Sequence, residues 1–178
     1  MNGKTFLNIK TFLMVKLFLI LWACLILAAL PRASAQEAIR ENLLMNAGFE
    51  EAEAGEPAFW SRDVWIRDDG VSRLEIVSGA GRSGAAARIE NRYPNDAKWV
   101  QTVSVEPETL YRLSGWVKAE NADLAAKGAN LSVLGITQTS DDVKDTDGDW
   151  RYLELYGRTG KDQREVTVAV RLGGYGSL

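Results

Sequence analysis

Histidine is absent from the 178 residues, and cysteine occurs once, at Cys24. Without histidine there is no Ser-His-Asp or Cys-His relay, no imidazole ligand for zinc and no side chain whose ordinary pKa lies near neutrality. A lone cysteine closes no internal disulfide, so any domain here must rest on its core. Long helical patterns are missing too. Residues 121–127 are the one short stretch of helix propensity, too brief to pack as a helix, and are read as a loop. Basic charge is scarce beyond the first 35 residues. All 24 Asp and Glu but only 17 of the 21 Lys and Arg follow residue 35, leaving that part with seven net negative charges. This disfavours nucleic acid and anionic membrane surfaces as partners, and a solvated acidic surface accounts for it.

What is present begins with a leader. Lys4, Lys10 and Lys16 precede the apolar residues 17–30, and Ala33-Ser34-Ala35 precedes Gln36. A basic start, an apolar run of about 7–15 residues and an A-x-A ending form a secretory signal peptide. Residues 1–35 are therefore expected to be cleaved after Ala35, which makes the product secreted or periplasmic. The alternative is an uncleaved anchor, the only route by which a membrane becomes a partner. The run is shorter than the roughly 20 residues of a spanning helix. Residues 36–41 form a short polar lead-in, and residues 42–178 suffice for one domain that buries a core without cross-links.

Within that domain the pattern is of short strands and turns. Leu43 and Leu44 precede Asn46, Gly48, Phe49 and Glu50, and suggest an edge strand with Phe49 as a buried anchor. Asp68-Asp69-Gly70 is a turn signal. Residues 73–76, 85–91, 99–105, 110–118, 129–139, 150–156 and 166–172 alternate or are rich in β-forming residues. Along 150–156, Trp150, Tyr152, Glu154 and Tyr156 share one face, and Leu153 and Leu155 the other. The loop at 78–84 is glycine-rich but lacks the G-K-[ST] ending of a phosphate loop. Regularly spaced short strands with no helical pattern predict an all-β sandwich or barrel.

Four stretches carry a family resemblance in order. They are the opening run at 42–50, the glycine-rich step leading into Ala87, Arg88 and Ile89, the pair 99–105 and 111–119 with Tyr111, Ser114, Trp116 and Lys118, and Trp150-Arg151-Tyr152. Together they resemble carbohydrate-binding modules of the CenC-like group (families 4, 9 and 22), which have a galactose-binding-domain-like fold. The resemblance spans nearly all of residues 42–178. It implies a jelly-roll β-sandwich and a polysaccharide or oligosaccharide partner. Members usually finish with a strand bearing an Asp pair, and this sequence stops at Leu178 before one. The expectation is a sandwich lacking its final strand, with an edge exposed and the core partly open, or else a fold closed differently.

Sugar rings stack their C–H faces on aromatic side chains and exchange hydrogen bonds with amides, guanidinium groups and carboxylates. Trp116, Tyr111, Phe49 and Trp60 read as core. Aromatics bordering polar loops are better binding candidates, above all in residues 91–99, with Trp65 between Arg62 and Arg67 next. The placement by position is Trp65, Arg88, Asn91, Tyr93, Gln101 and Gln138. Asp145, Asp147 and Asp149 alternate like the start of a calcium loop, but its twelfth position falls at Tyr156, so an acidic turn is preferred. The resemblance itself implies a structural calcium at Glu50, with backbone oxygens of 81–84. Hydrolysis of glycosides needs two carboxylates across a cleft, one in an apolar setting, and no acid here has that setting. The expected function is an exported, non-catalytic carbohydrate-binding module. The alternative is a structural or adhesive sandwich that binds protein at the cell surface.

Overall fold

Ten strands and no helix make up residues 41–173, the part of the chain that the computed structural model describes. The leader, the Ala35 cleavage point, the lead-in through residue 40 and Tyr175 lie outside the described residues. The strands are β1 (Ala52–Glu53), β2 (Glu56–Pro57), β3 (Ser61–Val64), β4 (Ser72–Val77), β5 (Ala86–Asn91), β6 (Ala97–Ser104), β7 (Leu110–Val117), β8 (Gly128–Val133), β9 (Arg151–Arg158) and β10 (Glu165–Gly173). One layer is a four-stranded antiparallel sheet in the order β3-β6-β10-β8. Facing it are two separate antiparallel pairs, β4-β5 and β7-β9. The β4-β5 pair lies against β6, with β5 also against β10, and the β7-β9 pair lies against β8. The result is the all-β sandwich expected from the alternation.

Period-2 alternation decides which side chains meet between the layers. Trp60, Leu74, Ala97, Trp99 and Val168 form one buried cluster, and Val117, Ala119, Leu131, Val143 and Leu153 a second. Leu113 and Val170 touch both and join them into one core. Burying each large apolar side chain contributes roughly 1.5–3 kcal/mol, which is how the domain holds without a disulfide. β10 is paired on both edges, to β6 and to β8. Its Val, Thr and Ala run suits a central strand.

Two expected strands differ. Residues 42–50 form a turn rather than an edge strand. Side-chain amides take the place of a ladder there. Asn46 bonds the backbone of Glu51 and Ala58, and Gln101 bonds both the N–H and the carbonyl of Met45. Phe49 is half-buried, its ring centroid 4.8 Å from that of Trp60. β8 ends at Val133 instead of running to residue 139. Gly135 adopts a φ of 86°, which breaks the extended run, and the backbone returns to β8 through the isolated Ser132–Thr139 and Ala129–Val143 bridges.

Candidate functional site

The outer face of the β7-β9 pair gathers aromatic rings in the open. The register sets Arg112 opposite Tyr156, Ser114 opposite Glu154 and Trp116 opposite Tyr152. Leu153 and Leu155 of β9 point into the core, as do Leu113 and Val117 of β7. Alternation then forces Tyr152, Glu154 and Tyr156, with Arg112, Ser114 and Trp116, onto the other side. Trp116, Tyr152 and Tyr156 are 46%, 42% and 47% exposed, which is large for side chains of this size in the middle of strands. This corrects the expectation that Trp116 is core. Its β7 neighbour Val117 is the residue that faces inward.

The rings are held in place. Trp116 and Tyr152 lie 5.3 Å apart between centroids, tilted by 60°. Arg82, from the glycine-rich loop before β5, places its guanidinium carbon 3.8 Å from the Trp116 ring. The Tyr156 hydroxyl meets Glu154 Oε2 at 3.3 Å. Arg112 is pushed further above its ordinary pKa, first by a hydrogen bond with Tyr156 and then by the neighbouring Tyr152, so it presents a fixed positive charge beside the rings. Tyr152 and Tyr156 are four residues apart on one strand, roughly 14 Å. The surface is a strip of apolar ring faces edged by guanidinium, hydroxyl and carboxylate groups. It is a sheet face rather than a cleft.

The residues chosen from the sequence fall in three settings. Trp65 and Tyr93 are the most open of the aromatic candidates, at 75% and 64%. They stand at one end of the sandwich on loops tied together by Asn95, whose amide bonds the backbone of Ile66 on both sides. The Trp65 N–H donates to the Asp96 carbonyl at 2.9 Å. Trp99, in the same stretch as Tyr93, is fully buried. Asn91 and Gln101 are corrections, since both amides are interior. Asn91 donates to the Asn95 and Leu172 carbonyls and accepts from Ser72 Oγ, and Gln101 fastens Met45. Arg88 is exposed on the β4-β5 face, with Glu75 and Glu90 at 3.8 and 3.9 Å. Gln138 lies in the exposed loop after β8. Trp65 and Tyr93 are thus brought to one end, while Arg88 and Gln138 are placed elsewhere.

Glu50 has a defined task. Both its carboxylate oxygens accept the Ala85 N–H, at 3.0 and 3.2 Å, and a Cβ on Gly84, whose φ is 74°, would strike that carboxylate. Calcium takes six to eight oxygen ligands. Among the described residues no group of three or more His, Cys, Asp or Glu is arranged to hold a metal. In the acidic loop, Asp145 accepts the Asp147 N–H at 2.8 Å and the Asn121 N–H at 3.3 Å. These bonds, the Asp147 one first, lower its pKa.

The structure thus defines an all-β sandwich with an exposed aromatic strip on one layer. No family model matches the chain. Over 147 residues it is 32% identical to exochitinase 1 of Streptomyces olivaceoviridis, an alignment that takes in 82% of this chain and 21% of that protein. The chain spans about a fifth of the length of the relative it matches.

Proposed function

We propose that this chain is an exported, non-catalytic carbohydrate-binding domain. Its ligand is an insoluble polysaccharide, with chitin the first to test, taken up on the outer face of β7 and β9. The observation that carries the reading is the coplanar side of one strand pair bearing Trp116, Tyr152 and Tyr156 with Arg82 and Arg112 between and beside them. An open strip of rings suits the flat face of a packed polysaccharide better than a single soluble sugar. Similarity to part of a chitinase supports the ligand class, and the CenC-like resemblance supports the same class independently. Non-catalytic action rests on the sequence, in which no acid has the apolar setting that glycoside hydrolysis asks of its proton donor. Export rests on the leader at 1–35, and the role would be to hold an attached or partner activity near its substrate.

The test is retention on chitin and cellulose particles, with affinity electrophoresis against soluble glycans alongside. Trp116→Ala and Tyr152→Ala are each expected to weaken retention by roughly 30-fold, corresponding to about 2 kcal/mol for an aromatic anchor. Trp65→Ala and Tyr93→Ala are expected to change it less than about threefold. If the loop variants lose retention and the strip variants keep it, the site moves to the loops. If no polysaccharide retains the unaltered chain, the domain is better read as the protein-binding sandwich.

A further inference from the structure

Arg82 is held on the strip by a ring and by no acceptor. Its guanidinium carbon lies 3.8 Å from the Trp116 ring centroid, a spacing at which the planar group rests against the ring. Among the described residues no carboxylate, carbonyl or hydroxyl pairs with it. Stacking leaves its N–H donors unused, and they lie in one plane around the rim of the group. The loop that presents it is fixed at both ends. The Gly81 N–H donates to the Gly84 carbonyl at 3.0 Å, closing a tight turn around Arg82 and Ser83, and Glu50 accepts the Ala85 N–H. The donors are thus in place before any ligand arrives.

The charge around Arg82 is of one sign. Lys118, two residues beyond Trp116 on the same side of β7, sets its Nζ 5.6 Å from the Trp150 ring. With Arg112 and Arg158, which stand on this face opposite Tyr156 and Leu110, the strip gathers four cations against the one carboxylate of Glu154. In a domain with seven net negative charges, this is a local reversal of sign.

Such a surface distinguishes polysaccharides that differ by one substituent. Chitin carries an acetamido group where cellulose has a hydroxyl and deacetylated chitin an ammonium. The amide carbonyl is a neutral acceptor that a waiting guanidinium can use. The ammonium only donates, and it is repelled by the four cations. A carboxylate would be drawn locally, but the charge of the whole domain opposes a polyanion.

We propose that Arg82 is the specificity-determining residue of the strip, donating to the acetamido carbonyl of a sugar stacked on the neighbouring Tyr152. The cations around it turn away the deacetylated polymer. This rests on the strip being the polysaccharide face. The test compares retention of the full chain, at mildly acidic pH, on chitin, on the same particles partly deacetylated, on cellulose and on carboxylated cellulose. Chitin should retain the unaltered chain about tenfold more tightly than cellulose, and deacetylation should weaken retention by about tenfold. Arg82→Ala should bring chitin within about twofold of cellulose. Arg82→Lys keeps the charge but not the planar fork, so it should still reject the deacetylated particles while losing part of the preference for chitin. A loosened loop would weaken every polymer alike, so the ratio between polymers is the readout. An Arg82→Ala chain that keeps its preference for chitin overturns the assignment and leaves the strip standing. Tighter retention on carboxylated cellulose than on chitin, lost with Arg82, overturns it in favour of a carboxylate ligand. An unaltered chain that none of the polymers retains overturns this inference together with the reading beneath it.

Discussion

Asn91 and Gln101 carry the amides that sugar hydroxyls favour, yet both serve the scaffold. Asn91 is 3% exposed and makes three hydrogen bonds that join β4, the 92–95 turn and the end of β10. Asn91→Ala would remove the donor to the Asn95 and Leu172 carbonyls and the acceptor of the Ser72 hydroxyl, and is expected to lower unfolding free energy by about 2–4 kcal/mol by denaturant titration. Polysaccharide retention by the fraction still folded should be unchanged. A retention loss without a stability loss would return Asn91 to the binding surface. The sequence showed the amide and its neighbouring turn but not the partners, because Leu172 is 81 positions away. Trp116 was misassigned for a related reason. Its place within a dense strand suggests the core, whereas its polar companions two and four positions back, Ser114 and Arg112, mark the outer side of β7. Read together with Tyr152, Glu154 and Tyr156 opposite Leu153 and Leu155, that parity would have located the strip.

Elements were legible where one face is apolar and the other polar. β4, β5, β6, β7, β9 and β10 all fall where alternation put them, within a few residues. The opening block at 42–50 was not legible as a turn, since its hydrogen bonds come from Asn46 and from the distant Gln101 rather than from a neighbouring strand. Which strands pair was not legible either, because β10 joins β6 and β8 across long sequence separations. The acidic loop between β8 and β9 gives a prediction in pH. Asp145 is held below its ordinary aspartate value by the N–H groups of Asp147 and then Asn121. Its contribution is thus fully present above the unfolded-chain value of about 3.9 and is lost as pH falls through the lower folded value. Thermal melts of Asp145→Asn should lose part of the decline that the unaltered chain shows below about pH 4, and parallel declines would exclude this loop as a source. In the loop between β4 and β5, Gly84→Ala must displace the Glu50 carboxylate and adopt a left-handed backbone. It is expected to cost about 1–3 kcal/mol and to loosen the loop that carries Arg82 onto Trp116.

For the molecule as a whole, the question is whether charge or ring stacking governs what it binds. Beyond residue 35 the chain carries seven net negative charges, yet two cations, Arg82 and Arg112, flank the rings of the strip. These are opposite signals. Overall repulsion would slow the approach of an anionic polysaccharide, while the local guanidinium groups would welcome it. For a neutral chain such as chitin, both terms nearly vanish and affinity rests on apolar contact and short hydrogen bonds. Raising sodium chloride from about 0.01 M to about 1 M shortens the Debye length from ~30 Å to ~3 Å. Retention on a neutral polysaccharide should then change by less than about twofold, since the contacts that matter are shorter than either length. A steep fall with salt would mean that the two arginines grip anionic groups directly. In that case Arg112→Gln would abolish binding more completely than Trp116→Ala, and the ligand would be an acidic polysaccharide.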